Sequence, residues 1–175
     1  RNADVVCLYW VNGGFVRPED LSALYQPLVW RLSDIWPFSG GCHYSGSCER
    51  FVEECGCCPQ LANRGAEDYS RRLWKRKALT WKDLDLTIVA PSQWIADLAA
   101  RSSLFRNRRI EIIATGVDTT VFHPMDRMAV RAALGLPTWR RIIACGAPAV
   151  ATDPRKGWTE FAAALQLAVQ RGHGH

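Results

Sequence analysis

Runs dominated by Val, Ile and Leu recur at residues 4–10, 27–33, 84–90, 109–115 and 140–146. Between them, apolar positions repeat at helical spacing over 18–25, 66–81, 92–102, 127–134 and 156–171. Strict alternation of strand and helix predicts a parallel sheet covered by helices on both faces. The fold class read from the pattern is therefore α/β, a Rossmann-like parallel sheet with flanking helices.

The alternation breaks twice. Residues 34–65 form a connection too long for a structureless loop in a compact domain, so it is expected to be functional or internally tied. Residues 115–124, TGVDTTVFHP, carry turn residues and a proline after a strand, and a new helix–strand–loop–helix series follows. The predicted organisation is a Rossmann-like domain over 1–115 with the loop 34–65 inserted in it, a crossing at 116–124, and the start of a second Rossmann-like domain over 125–175. Residue 1 is arginine and the strand pattern begins at once, which predicts a fragment that starts inside a fold.

Composition narrows the picture only a little. A 48% share of hydrophobic residues is enough for a packed core, which excludes a disordered chain. No run approaches the roughly 18 apolar residues of a membrane span, and nothing at the front resembles a secretion signal. The expectation is a soluble, cytoplasmic protein. Its 22 Lys and Arg against 17 Asp and Glu, a net +5, suit an anionic partner of some kind without choosing among phosphates, nucleic acid and lipid headgroups.

Five of the seven cysteines fall between residues 42 and 58. Cys42, Cys48, Cys55 and Cys58 stand as C-x5-C-x6-C-x2-C, with His43 and Cys57 as spare donors. A tetrahedral zinc site needs four soft ligands at about 2.3 Å, and a C-x2-C turn presents two together. The cluster is open to three readings: a structural zinc, reduced thiols packing the loop, or disulfides. Cys7 and Cys145, each on a predicted buried strand, read as small core residues.

Residues 153–158, DPRKGW, follow the last predicted strand. Asp153 can cap a helix whose first residue is Pro154, and the unpaired amides of a first helical turn favour an anion. Arg155 and Lys156 add formal charge there, suited to a diphosphate, or are simply solvated. On the predicted helix 66–81, Arg71, Arg72, Lys75 and Arg76 lie within an arc of about 140°, with Trp74, Ala78 and Trp81 on another side. That face is either solvated or a peripheral contact for anionic lipid. Trp36 is the tryptophan expected to meet a sugar ring.

Taken in order, DVVCLYWVNGGF, VWRLSDIWPFSGGCHYSGSC with CCPQL, LTIVAPSQWIADLA, IATGVDTTVFHP and DPRKGW resemble the retaining glycosyltransferases of family 4, of the subgroup found in bacterial polysaccharide gene sets. The resemblance implies a two-domain B-type glycosyltransferase fold. It also implies transfer of a sugar from a nucleotide sugar to a glycan or lipid-linked acceptor, without a catalytic metal; the basic helix would add a peripheral contact with the inner membrane face. It assigns Arg155 and Lys156 to the donor diphosphate and puts Gly13 and Gly14 on a loop facing the cleft. Where the family carries histidine before aspartate, this chain has Ser33 and Asp34, so Asp34 is expected to orient sugar or acceptor hydroxyls without an imidazole beside it. The family's opening glycine-rich loop and its acidic donor motif are not found in the chain, which implies a truncated and, alone, inactive enzyme. Two other functions stay open: a zinc-stabilised nucleic-acid-binding module, against which the strand–helix alternation argues, and an inactive remnant of a transferase. The expected partners are a nucleotide sugar and a glycan or lipid acceptor, and not nucleic acid.

Overall fold

The computed structural model describes residues 3–173. The chain divides into two compact units, Arg1–Gly116 and Val117–His175.

In the first unit, β1 (Val6–Leu8), β2 (Leu28–Arg31), β3 (Leu86–Ala90) and β4 (Arg109–Ile112) form one parallel sheet in the order β1-β2-β3-β4. The helices α1 (Pro18–Leu21), α2 (Tyr69–Trp81) and α3 (Gln93–Arg101) make the three crossovers. Register sets Val6 beside Leu28, Trp30 beside Ile88, and Ile88 beside Ile110. This is the α/β, Rossmann-like class that the pattern predicts.

Cover is one-sided, however. Leu28, Trp30, Leu86, Ile88 and Ala90 point into a core shared with Leu21 of α1, Trp81 of α2 and Ile95, Ala96 and Ala99 of α3. Their neighbours Val29, Arg31, Thr87 and Val89 face the other way and are only half-buried. Strands that step steadily in one direction with right-handed crossovers put every helix on the same side. Among the described residues of this unit no helix covers the second face, which carries an open concavity of about 580 Å³ lined by Cys7, Tyr9, Val29, Arg31, Val89 and Thr115. Cys7 is exposed there and is not a core residue.

Helix α2 begins where Asp68 accepts the amide of Arg71 at 3.1 Å, an N-cap that starts the helix three residues after the predicted 66. Its buried positions Leu73, Lys77 and Trp81 follow i, i+4, i+8 spacing. The loop 34–65 is tied down by packing: Phe38 and Phe51 enter the core, the Ser102 hydroxyl donates to the Phe38 carbonyl at 2.7 Å, and Lys77 donates to the Ser39 carbonyl at 3.0 Å. All seven cysteines are free thiols, so no disulfide contributes to that tie.

In the second unit, Asp126 caps α4 (Arg127–Ala133) at the Ala129 amide, 2.8 Å, and α5 (Trp158–Ala168) follows. No strand forms among its described residues, although residues 140–146 read as one. A strand needs a neighbouring strand, and among the described residues none lies beside this segment, whose Arg140 carbonyl accepts instead from the Arg131 side chain at 2.9 Å; Ile142 and Ile143 are exposed, as is Cys145. Among the described residues no helix is long and apolar enough to cross a membrane.

Candidate functional site

Ligands of open parallel sheets bind beyond the carboxyl ends of the strands. In the first unit those ends carry three loops of chemical interest. The loop after β1 turns through Gly13 (φ +68°) and Gly14 (φ +83°), a left-handed pair that favours glycine, and closes with the Phe15 amide on the Asn12 carbonyl at 3.3 Å. Trp10, on the same loop, is exposed.

The loop after β2 holds Ser33 and Asp34. Ser33 is exposed, but Asp34 is withdrawn, its side chain only 10% accessible. One carboxylate oxygen accepts the Trp36 amide at 2.9 Å and the other meets His43 Nδ1 at 2.6 Å. His43 is fixed a second time by its own carbonyl, which accepts the Ile35 amide at 3.2 Å. The imidazole remains exposed and stacks with Trp10, ring centres 6.2 Å apart and planes 23° from parallel. The first two loops therefore meet at a Trp10–His43–Asp34 stack. After β4, Thr115 accepts from Arg31 at 2.6 Å, and the Arg31 guanidinium lies 5.9 Å from the centre of the Tyr9 ring.

Asp34 has both oxygens engaged, and His43, foreseen only as a spare metal donor, is exposed beside it. The sequence signal for it is the pair Gly40 and Gly41 just before Cys42 and His43, which lets the loop double back. Gly41 has φ +117°, and a Cβ on Gly40 would stand 2.4 Å from the Ser70 carbonyl oxygen. Trp36 is half-buried: it packs against Trp30 and Trp81, and Lys77 Nζ sits 3.6 Å from its ring centre.

Cys42, Cys48, Cys55 and Cys58 line one small cavity of about 20 Å³, walled also by Phe51 and Ser70. Burial pushes the Cys55 thiol up to about 11, against the Gly40 amide that donates to its sulfur at 3.1 Å, and burial raises Cys42 as well. Among the described residues no group of three or more His, Cys, Asp or Glu side chains is arranged to hold a metal ion. The four thiols share one wall as reduced side chains.

In the second unit Asp153 caps a single 3-10 turn, Pro154–Lys156, that ends at Gly157 in the left-handed region, and α5 starts only at Trp158. Asp153 accepts the Arg155 amide at 3.0 Å, and the Arg155 side chain folds onto it through Nε at 2.9 Å and Nη2 at 2.6 Å. Chiefly through that side-chain bond, the Asp153 carboxyl is held at about 2. Lys156 is exposed.

On the basic face of α2, Arg76 pairs with Glu19 at 2.6 Å, Lys75 with Glu67 at 2.9 Å and Arg71 with Glu54, while Arg72 donates to the neutral Glu67 carbonyl at 3.2 Å.

No family model matches the chain, and no solved structure does. The chain is similar to a protein of Escherichia coli K12 named "Putative colanic acid biosynthesis glycosyl transferase WcaC", with 32% identity over 119 residues, 63% of this chain and 29% of that protein. It is also similar to the D-inositol 3-phosphate glycosyltransferases of Mycobacterium bovis and Mycobacterium tuberculosis, 56% identical over 36 residues, 21% of this chain and 8% of theirs. The chain spans under a third of the length of these curated relatives.

Proposed function

We propose that this chain is part of a glycosyltransferase that moves a sugar from a nucleotide-sugar donor to a glycan or lipid-linked acceptor with retention of configuration. The observation that carries the reading is the 119-residue similarity to a named glycosyl transferase in a chain that folds as a Rossmann-like parallel sheet. The family 4 resemblance, a role in polysaccharide synthesis and a place at the cytoplasmic face of the membrane belong to the same proposal.

In the reaction, the bond between the anomeric carbon and the diphosphate oxygen breaks, and the acceptor hydroxyl oxygen bonds to that carbon on the same face. The nucleoside diphosphate leaves with the bonding electron pair, and the hydroxyl proton is released. Arg155 and Lys156 supply positive charge for the leaving diphosphate, the lysine as a point charge and the arginine by exchanging the Asp153 carboxylate that its Nε and Nη2 now hold for phosphate oxygens. No step calls on a metal.

Calorimetric titration of the intact protein with UDP and with GDP tests this. One of them binds, and Arg155→Ala or Lys156→Ala weakens it roughly 10- to 100-fold, the worth of a hydrogen bond to a charged group. Equal affinity in both variants removes the pair from the donor site.

A further inference from the structure

We infer that His43 is the side chain through which this rim contacts a hydroxyl of the sugar substrate, with Asp34 as the positioning residue behind it. The inference rests on the transferase reading for its substrate class and on geometry for the rest.

Three observations converge on the imidazole. Its Nδ1 lies 2.6 Å from a carboxylate that is nearly withdrawn from solvent and already accepts an amide through its other oxygen. An ionised carboxylate only accepts, so the proton in this contact sits on Nδ1, and Nε2 is the ring nitrogen that Asp34 does not engage. Trp10 stacks on the ring and the Ile35 amide holds its backbone, so rotation is restrained from two sides. Yet His43 is exposed, and its side chain keeps 44% of its accessible surface.

Structural histidines usually bury the second nitrogen or spend it on a partner inside the protein. Here the support is built and the side chain is left exposed, on the loop after β2, at the end of the sheet where ligands bind. A carboxylate that fixes a histidine's tautomer and plane so that its other nitrogen can act is a recurring device of functional imidazoles. An Nε2 held in this way suits a sugar hydroxyl, which can both donate and accept a hydrogen bond. Trp10 beside it adds an exposed aromatic face, the surface on which the apolar C–H face of a pyranose packs. The imidazole absent at position 33 is in this view supplied from ten residues further on.

The test follows turnover of UDP-glucose and GDP-mannose by the intact protein, as nucleoside diphosphate released with a membrane-lipid extract as acceptor. His43→Ala lowers kcat roughly 10- to 100-fold with unchanged circular dichroism, and added imidazole restores part of the rate. In 15N-histidine spectra His43 reports the Nδ1–H tautomer, and Asp34→Asn abolishes that preference while the fold persists. Wild-type turnover with an equally active His43→Ala variant, or a loss that imidazole does not relieve, overturns the role of His43 and leaves the transferase reading standing. A wild-type protein that turns over neither donor and binds neither UDP nor GDP overturns the transferase reading and this inference with it.

Discussion

Lys77 Nζ stands 3.6 Å from the centre of the Trp36 ring and 3.0 Å from the Ser39 carbonyl oxygen, with no surface left to solvent. It occupies a position on α2 where the helical period calls for an apolar side chain, and it staples the start of the loop 34–65 to that helix. Burial drives its ionisation well below the ordinary 10.5, while Cys55, Cys42 and Asp34, the titratable groups that face it, pull the other way. A lysine lowered in the fold binds fewer protons folded than unfolded, so its contribution improves as the pH climbs from the lowered value toward 10.5. Urea denaturation at several pH values is therefore expected to show wild type gaining stability relative to Lys77→Met as pH rises. A difference that is flat with pH would contradict the burial of this ammonium.

Asp68 joins two elements: its carboxylate accepts the Cys58 amide at 2.7 Å, the Ser70 hydroxyl at 2.6 Å and the Arg71 amide at 3.1 Å. Desolvation works to raise it, but these hydrogen bonds prevail and hold it at about 2. Asp68→Ala is expected to cost at least about 1 kcal/mol, the usual worth of a lost N-cap. Because the folded value is depressed, the wild-type advantage is complete above the ordinary 3.8 and is lost as pH falls toward about 2. Thermal melts of both proteins at neutral and acid pH check this; a gap that widens in acid would refute it.

The glycines of the loop separate cleanly. A Cβ on Gly40 would stand 2.4 Å from the Ser70 carbonyl oxygen and 2.6 Å from Cys55 Cβ, whereas one on Gly65 would meet nothing within 4 Å. Gly40→Ala is expected to lose about 1–3 kcal/mol or more through overpacking. Gly65→Ala should stay within about 0.5 kcal/mol. Denaturant midpoints decide, and equal midpoints would mean that the loop does not pack on α2 in this way.

Cys55 is buried with its thiol pushed to about 11, while Cys57, with φ +46°, is exposed. Alkylation of the native protein, mapped by mass spectrometry, should modify Cys57 readily and Cys55 slowly, since the thiolate is the reacting form. Comparable rates would contradict the packing. Protection of Cys42, Cys48, Cys55 and Cys58 that collapses together on adding a chelator would assign a metal ion to the cavity they line.

The strands and helices were legible because burial follows period: Leu86, Ile88 and Ala90 alternate with Thr87 and Val89, and Leu73, Lys77 and Trp81 share one face of α2. The same alternation held the evidence for a one-sided sheet, since Arg31 and Thr87 are poor residues for a doubly covered parallel strand. The order β1-β2-β3-β4 turns that hint into geometry. The Asp34–His43 pair was beyond periodicity, because it joins residues nine apart through an irregular loop whose course depends on Gly41, Lys77 and the phenylalanines beneath. Residues 140–146 have strand composition, yet pairing is a property of neighbours and not of the segment.

The central claim is sugar transfer, and the most direct measurement gives the intact protein radiolabelled UDP-glucose or GDP-mannose together with a lipid extract. The account predicts label in a glycolipid or glycan fraction, an equal amount of nucleoside diphosphate, and an anomeric configuration that matches the donor. Neither labelled product nor released diphosphate, from a folded protein that binds neither UDP nor GDP, would contradict it.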